Sequence, residues 1–161
     1  MLSFRVSASG ERDLSRVSSS IMGNNVDITA ELNTLPVPLR AAVARHWDRY
    51  LSSGGPAPYL ADAAWRAELV NVWAFSEFIA QACCQDAAML TDLFESGDLT
   101  QSRSAGSFRN ALTDALKDAA DEAAMSQCLR RFRRREMVRI AWRDLARRAA
   151  LGETLRDLSE L

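Results

Sequence analysis

Apolar residues recur every three or four positions along most of the chain, a spacing typical of helices that bury one face. No stretch of useful length alternates between apolar and polar residues, as a half-buried strand would. The helical spacing covers six segments: 38–51, 59–84, 87–96, 107–119, 125–150 and 155–161. The pattern therefore predicts an all-α protein, an irregular helical bundle.

Capping and breaking residues predict where several of these helices begin and end. Asp86 and Ser107 can cap the third and fourth helices, and Gly97 follows the third. A linker rich in serine, glycine and proline, 52–58, separates the first two helices. The fourth helix runs towards 125–150 without an intervening glycine or proline. One continuous helix and two helices with a brief break are both compatible with that sequence.

The two ends of the chain are expected to differ from its centre. Residues 1–25 are rich in serine and arginine and lack the continuous apolar segment of a secretory signal. We expect them to be a disordered extension, or to precede a true start at Met22. The segment 26–35 is short, and its sequence does not decide its secondary structure. The last helical segment stops in mid-pattern at Leu161, so we expect a chain that is truncated at its C-terminus.

The segment 125–150 contains nine arginines and neither glycine nor proline, which predicts one long arginine-rich helix. Its apolar residues change sides half-way. One face carries Met125, Cys128, Leu129 and Phe132, and nearly the opposite face carries Met137, Val138, Ala141, Trp142 and Leu145. A ridge at i,i+4 spacing lies behind the second cluster and consists of Arg135, Arg139, Arg143 and Arg147. Such a helix is expected to connect two layers of protein.

Composition adds a charge asymmetry to this picture. Hydrophobic residues make up 48% of the chain and charged residues 25%, as in ordinary folded proteins. The net charge is −1, but 130–148 has nine arginines against two acids, a local charge of +7 that the rest of the chain offsets. We expect acids within the fold to neutralise the arginines, rather than a free basic surface. The acids expected to do so are Asp114, Asp118, Asp121 and Glu122.

Few residues suggest chemistry at a metal or a nucleophile. His46 is the only histidine, so a histidine-rich metal site cannot form. Cys83 and Cys84 are neighbours that diverge on a helix, and with Cys128 they are expected to be buried thiols in a reducing cytoplasm. No apolar run reaches the length that crosses a membrane. Trp142 lies away from the arginine ridge, which disfavours a stacking surface for nucleic acid.

The arginine-rich segment also carries a resemblance to a known family. Residues 129–145, LRRFRRREMVRIAWRDL, closely resemble a segment of the bifunctional glutamine synthetase adenylyltransferase/adenylyl-removing enzymes. Residues 72–79, VWAFSEFI, and 89–93, MLTDL, are more weakly similar to the helix that precedes it there. The resemblance covers about 36–161. It implies the N-terminal helical segment of the adenylyl-removing half, shortly before the first nucleotidyltransferase domain.

The resemblance implies a function for the full-length enzyme rather than for this segment alone. In the family, AMP from ATP is attached to a tyrosine of glutamine synthetase and removed with inorganic phosphate, under the control of PII signalling proteins. Mg²⁺ and ATP, or phosphate, are therefore implied for the full-length enzyme. This chain lacks the glycine-rich turn and the strand-borne aspartate pair of that chemistry. It is expected to be inert, with no catalytic, cofactor-binding or metal-binding residue.

The expected role is therefore structural, in the cytoplasm, with no nucleic acid or membrane as partner. Arginine forks bind carboxylates or phosphates, so the ridge either pairs with acids of neighbouring helices or faces the downstream catalytic domain. The residues expected at a contact with that domain or another partner are Arg135, Arg139, Arg143, Met137, Trp142 and Leu145. The alternative is a stand-alone helical adaptor that binds a protein through the second apolar face.

Overall fold

A computed structural model describes residues 26–55, 58–104 and 106–161. In these ranges the chain forms eight α-helices and no strand, which confirms the all-α prediction. The helices are α1 (Thr29–Leu32), α2 (Val37–Ser52), α3 (Ala63–Phe75), α4 (Glu77–Gln85), α5 (Ala87–Glu95), α6 (Ser107–Leu116), α7 (Glu122–Leu145) and α8 (Leu151–Glu160). The segment 26–35, whose secondary structure the sequence did not decide, contains α1. The predictions for 1–25 concern residues outside the described ranges.

The segment 59–84, predicted as one helix, is divided at Ser76 into α3 and α4. Ser76 leaves the helical conformation, with φ −142° and ψ 97°, and its hydroxyl accepts a hydrogen bond from Ile79 N at 3.3 Å. Asp86 caps α5 in the same way and accepts from Met89 N at 3.0 Å, as predicted. The prediction of a single helix was wrong because a capping serine, which starts a new helix, lies inside a continuous apolar pattern. The two breaks let α4 contact both α3 and α5.

The core is centred on aromatic residues of α2 and α3. The Trp73 ring lies 6.4 Å from the Trp47 ring and 5.6 Å from the Tyr50 ring, centroid to centroid, and all three are buried. After α2 the backbone passes close to Tyr50, and a Cβ added at Gly55 would overlap that ring. Only glycine fits there without displacing the aromatic cluster.

Two of the three cysteines belong to this core. Cys83 and Cys84 are buried free thiols on α4, as predicted, whereas Cys128 on α7 is only partly buried. Burial raises the pKa of the Cys83 thiol far above its ordinary value and also raises that of Cys84. Both thiols therefore stay protonated and behave as small core side chains.

The arginine-rich helix begins and ends earlier than the predicted 125–150. Asp121 caps α7 by accepting a hydrogen bond from Ala124 N at 2.7 Å. The helix ends at Leu145, and the turn that follows places Arg147 in the left-handed region, with φ 57°. Although α7 is the longest helix, no helix of the described ranges is long and apolar enough to cross a membrane.

The predicted buried face in the first half of α7 is present only in part, because Cys128 and Phe132 are partly buried there. Val138 and Trp142 in the second half join the hydrophobic core. Met125 and Leu129 in the first half stay exposed. The difference arises because the core assembled from α2 to α5 reaches only the second half of α7. The first half is therefore a connector with one apolar edge in solvent.

The chain between α5 and α7 also departs from two details of the prediction. Ser107 is the first residue of α6 rather than its cap, because Gly106 precedes it with φ 77°, a conformation that favours glycine. Phe108 is buried, whereas Ala115, which follows it at i+7 on the apolar side of the helix, is exposed. Residues 117–121 separate α6 from α7, so the brief break is the correct alternative. The short α6 packs along α7.

Candidate functional site

The second half of α7 places a fully buried arginine between two carboxylates. Arg139 Nε donates to Glu136 Oε2 at 2.7 Å, and Arg139 Nη2 donates to Asp157 Oδ2 at 2.6 Å. Neither Arg139 nor Glu136 has any solvent exposure, and Asp157 on α8 is also buried. The Phe108 ring packs under the guanidinium, 5.3 Å from ring centroid to Cζ. This contact ties α8 to α7 by charge rather than by apolar packing.

Glu136 is the centre of a larger cluster that reaches the loop after α5. Its Oε1 accepts from Arg103 Nη2 and from Arg135 Nη1, each at 2.9 Å. The same two arginines share Asp98 Oδ2 at 2.9 and 2.8 Å, and Arg135 Nε also donates to Asp92 at 2.7 Å. Two guanidinium groups thus clamp the loop onto α7.

The guanidinium groups control the ionisation of Asp98. Burial raises the pKa of this carboxyl, but the hydrogen bond from Arg135 and the positive charges of Arg103 and Arg135 outweigh it. The pKa of Asp98 therefore lies below its ordinary value of 3.8. Asp98 is therefore held as a carboxylate between two guanidinium groups, rather than as an acid poised to donate a proton near neutral pH.

Arg143 holds the turn between α7 and α8. Its Nη2 donates to Glu153 Oε1 at 2.7 Å and to the Arg148 carbonyl at 3.1 Å, and its Nη1 donates to the Leu99 carbonyl at 3.3 Å. The side chain is buried. One guanidinium therefore connects three chain segments and sets the direction in which α8 leaves the turn.

A further acid, Glu68 on α3, anchors the C-terminal end of α7. Trp142 Nε1 donates to Glu68 Oε1 at 2.6 Å, so the buried indole has a partner. Arg148 Nη2 lies 2.7 Å from Glu68 Oε2, and its guanidinium stacks over Trp65 at 4.9 Å. The only sequence signal for this contact is the spacing of Glu68, which follows Trp65 by three residues and so lies on the same face of α3.

These pairs orient α8 with its charged face inward. Glu153 and Asp157 point towards α7, where Arg143 and Arg139 bind them. The opposite face carries three leucines, which are 71%, 57% and 44% exposed at Leu151, Leu155 and Leu158. We call these three residues the α8 leucine face. A helix that buries acids and exposes leucines is the reverse of the usual arrangement.

The α8 residues that border the leucine face are small and uncharged. Gly152 and Ser159 are exposed beside the leucines, and Thr154 is partly exposed and donates a hydrogen bond to the exposed Asp144 carboxylate at 3.1 Å. Beyond the chain neighbours of Gly152 and the backbone of α8, no atom of the described residues lies within 4 Å of the position that a Cβ would take there. Another helix or sheet can therefore approach the Gly152 side of this surface closely.

The structure divides the residues expected at a partner contact into two groups. Arg135, Arg139 and Arg143 pair with acids of this chain, and Trp142 is buried, whereas Leu145 is exposed. Met137 is partly buried. Pairing within the fold was thus anticipated, and a contact of these residues with another domain stays a prediction.

The prediction of which acids pair with the arginines was wrong. Asp114 contacts Lys117 instead, and Asp121 caps α7. The acids that do pair are Glu68, Asp92, Asp98, Glu136, Glu153 and Asp157. Glu136 lies on α7 itself, three residues before Arg139. The other five lie on other helices and loops, so their position depends on packing that spacing along the chain does not reveal.

The acids of this cluster do not suit a magnesium or ATP site. Each buried carboxylate faces guanidinium groups, whereas a magnesium site gathers carboxylates around one point. The described part of the chain contains no group of three histidine, cysteine, aspartate or glutamate residues that could hold a metal ion. What this arrangement can do is position α8 and present its outer face.

Comparison with known proteins identifies the family. The model of the glutamate-ammonia ligase adenylyltransferase family matches residues 66–161. The bifunctional glutamine synthetase adenylyltransferase/adenylyl-removing enzyme of Pseudomonas aeruginosa is 47% identical over 102 residues, 61% of this chain and 10% of the relative. The enzymes of the same description from Pseudomonas syringae pv. tomato and Thioalkalivibrio sulfidiphilus are each 37% identical, over 82% and 86% of this chain.

These relatives are much longer proteins. The chain spans 14% of the length of each of the last two relatives and 10% of that from Pseudomonas aeruginosa. No solved structure matches it. The matched region contains α4, α5, α6, α7 and α8, and with them the arginine–carboxylate cluster and the α8 leucine face. The chain belongs to the glutamate-ammonia ligase adenylyltransferase family.

Proposed function

We propose that this chain is a non-catalytic helical segment of an enzyme that adenylylates glutamine synthetase and removes the adenylyl group again. The relatives are named for both activities, and the chain corresponds to a small part of their length. The observation that carries the proposal is the α8 leucine face. It supports a role as a docking element that packs against the nucleotidyltransferase domain of the same polypeptide.

The exposed leucines favour a partner because of their number and order. Burying one leucine side chain contributes roughly 1.5–3 kcal/mol. Leu151, Leu155 and Leu158 follow at i, i+4 and i+7, so they form one continuous stripe rather than scattered exposed residues. Leu145 at the end of α7 adds to the exposed apolar area. A neighbouring domain that covers the stripe would gain this free energy.

The arginine–carboxylate cluster supports the same proposal. Arg139 and Arg143 hold the acids of α8 inward, and this forces its leucines outward. The acids of the cluster are engaged with arginine, so we assign the Mg²⁺, ATP and phosphate chemistry to the nucleotidyltransferase domain. Glutamine synthetase and the PII protein would be met through the whole enzyme, in the cytoplasm.

A chimeric enzyme tests the proposal. Residues 66–161 would replace the matching segment of the Pseudomonas aeruginosa enzyme. The phosphate-dependent transfer of the adenylyl group from glutamine synthetase to phosphate, which releases ADP, would be measured. We expect the chimera to be active and the double substitution Leu155→Glu/Leu158→Glu to reduce activity by at least about tenfold, the equivalent of 1.4 kcal/mol. Two carboxylates in an apolar contact would have to be desolvated.

The control places a new carboxylate on α6 instead of on the α8 leucine face. Thr113→Glu on α6 changes an exposed residue and is expected to leave the activity within about twofold. Full activity of the leucine double variant would contradict the proposal. An inactive chimera, together with a 161-residue chain that is monomeric by sedimentation, would favour the stand-alone adaptor instead.

A further inference from the structure

Four residues in the first half of α7 form one stripe along the helix. The stripe consists of Glu122, Met125, Leu129 and Arg133, which follow one another at i, i+3, i+7 and i+11. At about 100° per residue, they lie within roughly one quarter of the helix circumference. All four are exposed, Met125 by 44% and Leu129 by 40%. We call these four residues the α7 stripe. It differs from the α8 leucine face because a charged residue lies at each of its ends.

The two charged residues of the α7 stripe have no ion-pair partner among the described residues. Glu122 and Arg133 take part in none of the ion pairs there, whereas Arg135 on the same helix contacts three acids. The expected neutralisation of the arginines within the fold therefore does not extend to Arg133. A carboxylate and a guanidinium on either side of two apolar residues can thus bind charged groups outside this chain.

The order of residues in the α7 stripe is complementary to its own reverse. From the N-terminal end the order is acid, apolar, apolar, base. A second copy placed antiparallel presents base, apolar, apolar, acid at the same positions. A two-fold axis close to Gln127 would therefore bring Glu122 of each copy to Arg133 of the other, and Met125 of each copy to Leu129 of the other. In a two-fold contact every such pair occurs twice.

We propose that two copies of this chain associate through the α7 stripe in an antiparallel, two-fold contact. Two ion pairs between Glu122 and Arg133 flank an apolar centre of Met125 and Leu129, as charged residues flank the apolar seam of paired helices. Charge complementarity is the basis for choosing a second copy as the partner. The proposal goes beyond the function proposed above and does not depend on it, because it concerns α7 rather than α8.

A partner of one charge sign fits the α7 stripe less well. Nucleic acid or an acidic peptide would meet Glu122 as well as Arg133, and a basic peptide would be repelled by Arg133. A different protein would need the same residue types in the reverse order. A second copy has this order without any further requirement.

The contact is small, so the dimer is expected to be weak. Four residues per copy form much less surface than the roughly 800 Å² per partner of a standard interface. We expect a dissociation constant above about 10 µM. Dilute solutions therefore contain the monomer, and unfolding measured in them is unaffected by the contact.

Sedimentation equilibrium tests the proposal with a reference chain that carries Leu155→Glu/Leu158→Glu. These substitutions remove association through the α8 leucine face, so a failure of this proposal is distinguishable from a failure of the proposed function. We expect a monomer–dimer equilibrium at concentrations up to about 500 µM, well above the expected dissociation constant. Adding Glu122→Arg or Arg133→Glu should weaken the dimer at least about tenfold, because like charges then meet at both ends of the contact.

The double variant Glu122→Arg/Arg133→Glu is the decisive sample. It exchanges the two charges, so in an antiparallel contact both ion pairs form again with reversed polarity. The dimer should return to within about threefold of the reference chain, although each single substitution weakens it. In a parallel contact each residue meets its own counterpart, and the exchange would restore no pair.

Arg134→Glu is the matched control, because Arg134 is the exposed neighbour of Arg133 but lines a groove beside α5 on another side of α7. It changes the net charge as Arg133→Glu does and should leave the dissociation constant within about twofold. Circular dichroism should show that every variant remains helical. A reference chain that stays monomeric would overturn the proposal. Single charge variants that dimerise like the reference chain, or an exchanged variant that stays monomeric, would overturn it equally.

Discussion

Arg139 shows what one buried charge contributes at the scale of a single residue. Its guanidinium lies between Glu136 and Asp157 and has no contact with solvent. Removing it would leave the buried Glu136 Oε2 and Asp157 Oδ2 without their guanidinium partner, and breaking a buried ion pair typically costs about 3–5 kcal/mol. We therefore expect Arg139→Ala to lower the free energy of unfolding by about that amount, measured by urea denaturation followed by circular dichroism.

Arg133→Ala provides the comparison on the same helix. Arg133 is exposed, so its removal should change the free energy of unfolding by less than about 0.5 kcal/mol. An Arg139→Ala variant as stable as Arg133→Ala would show that the ion cluster is not a determinant of the fold.

The same residues show the limit of sequence reasoning at this scale. The ridge of Arg135, Arg139 and Arg143 is visible from its i,i+4 spacing, because spacing on a helix is local information. The partners Asp92 and Asp157 lie on α5 and α8, and only the packing of those helices brings them to α7. The leucine pattern of 155–161 was recognised, but the side on which it lies depends on the same packing.

At the scale of the element, the break between α3 and α4 depends on one hydroxyl. Ser76 accepts the Ile79 amide hydrogen and starts α4. We expect Ser76→Ala to lower the free energy of unfolding by about 1 kcal/mol, because loss of a helix cap typically costs 0.5–2 kcal/mol. Urea denaturation measures the difference.

Ser76→Asp retains a capping acceptor and should be close to the unmodified chain in stability. If Ser76→Ala were as stable as the unmodified chain, the capping bond would not be what ends α3. Asp86 was recognised as a helix cap from the sequence because the apolar spacing changes at that position. Ser76 was missed because Phe75 and Ile79 continue the apolar spacing on either side of the break.

At the scale of the whole molecule, the ion cluster makes stability depend on pH. The pKa of Asp98 is lower in the fold than its ordinary value of 3.8. The ionised carboxylate therefore contributes stability that is complete only well above the ordinary value of 3.8 and is lost as the pH falls through that value and the lowered pKa. At neutral pH, Asp98→Asn should cost about 1–2 kcal/mol, because Arg103 and Arg135 lose a charged acceptor.

This difference between Asp98→Asn and the unmodified chain should shrink as the pH falls below about 4. Urea denaturation at several pH values measures it. Asp114→Asn is the control, since Asp114 is largely exposed and pairs only with Lys117 in the described residues. A difference that stays constant between neutral and acid pH would mean that the Asp98 charge does not stabilise the fold.

The whole molecule was also the scale at which sequence reasoning was most complete. Helical periodicity established the all-α class, and the run 129–145 indicated the family that the comparisons then identified. The uneven burial of α7 was not accessible in this way. It depends on how far the core of α2 to α5 extends along that helix, which is a property of the assembled helices.

The orientation of α8 is a case of local frustration. Its amphipathic pattern favours leucines inward, whereas the guanidinium groups of Arg139 and Arg143 draw its acids inward instead. Natural sequences remove most conflicts of this kind, and those that remain are concentrated where a protein needs them. In this segment the ion pairs determine which face of α8 lies against α7, and the leucines stay exposed. A surface that covers the leucines would bury them while the ion pairs between α7 and α8 stay intact, so assembly would remove the conflict.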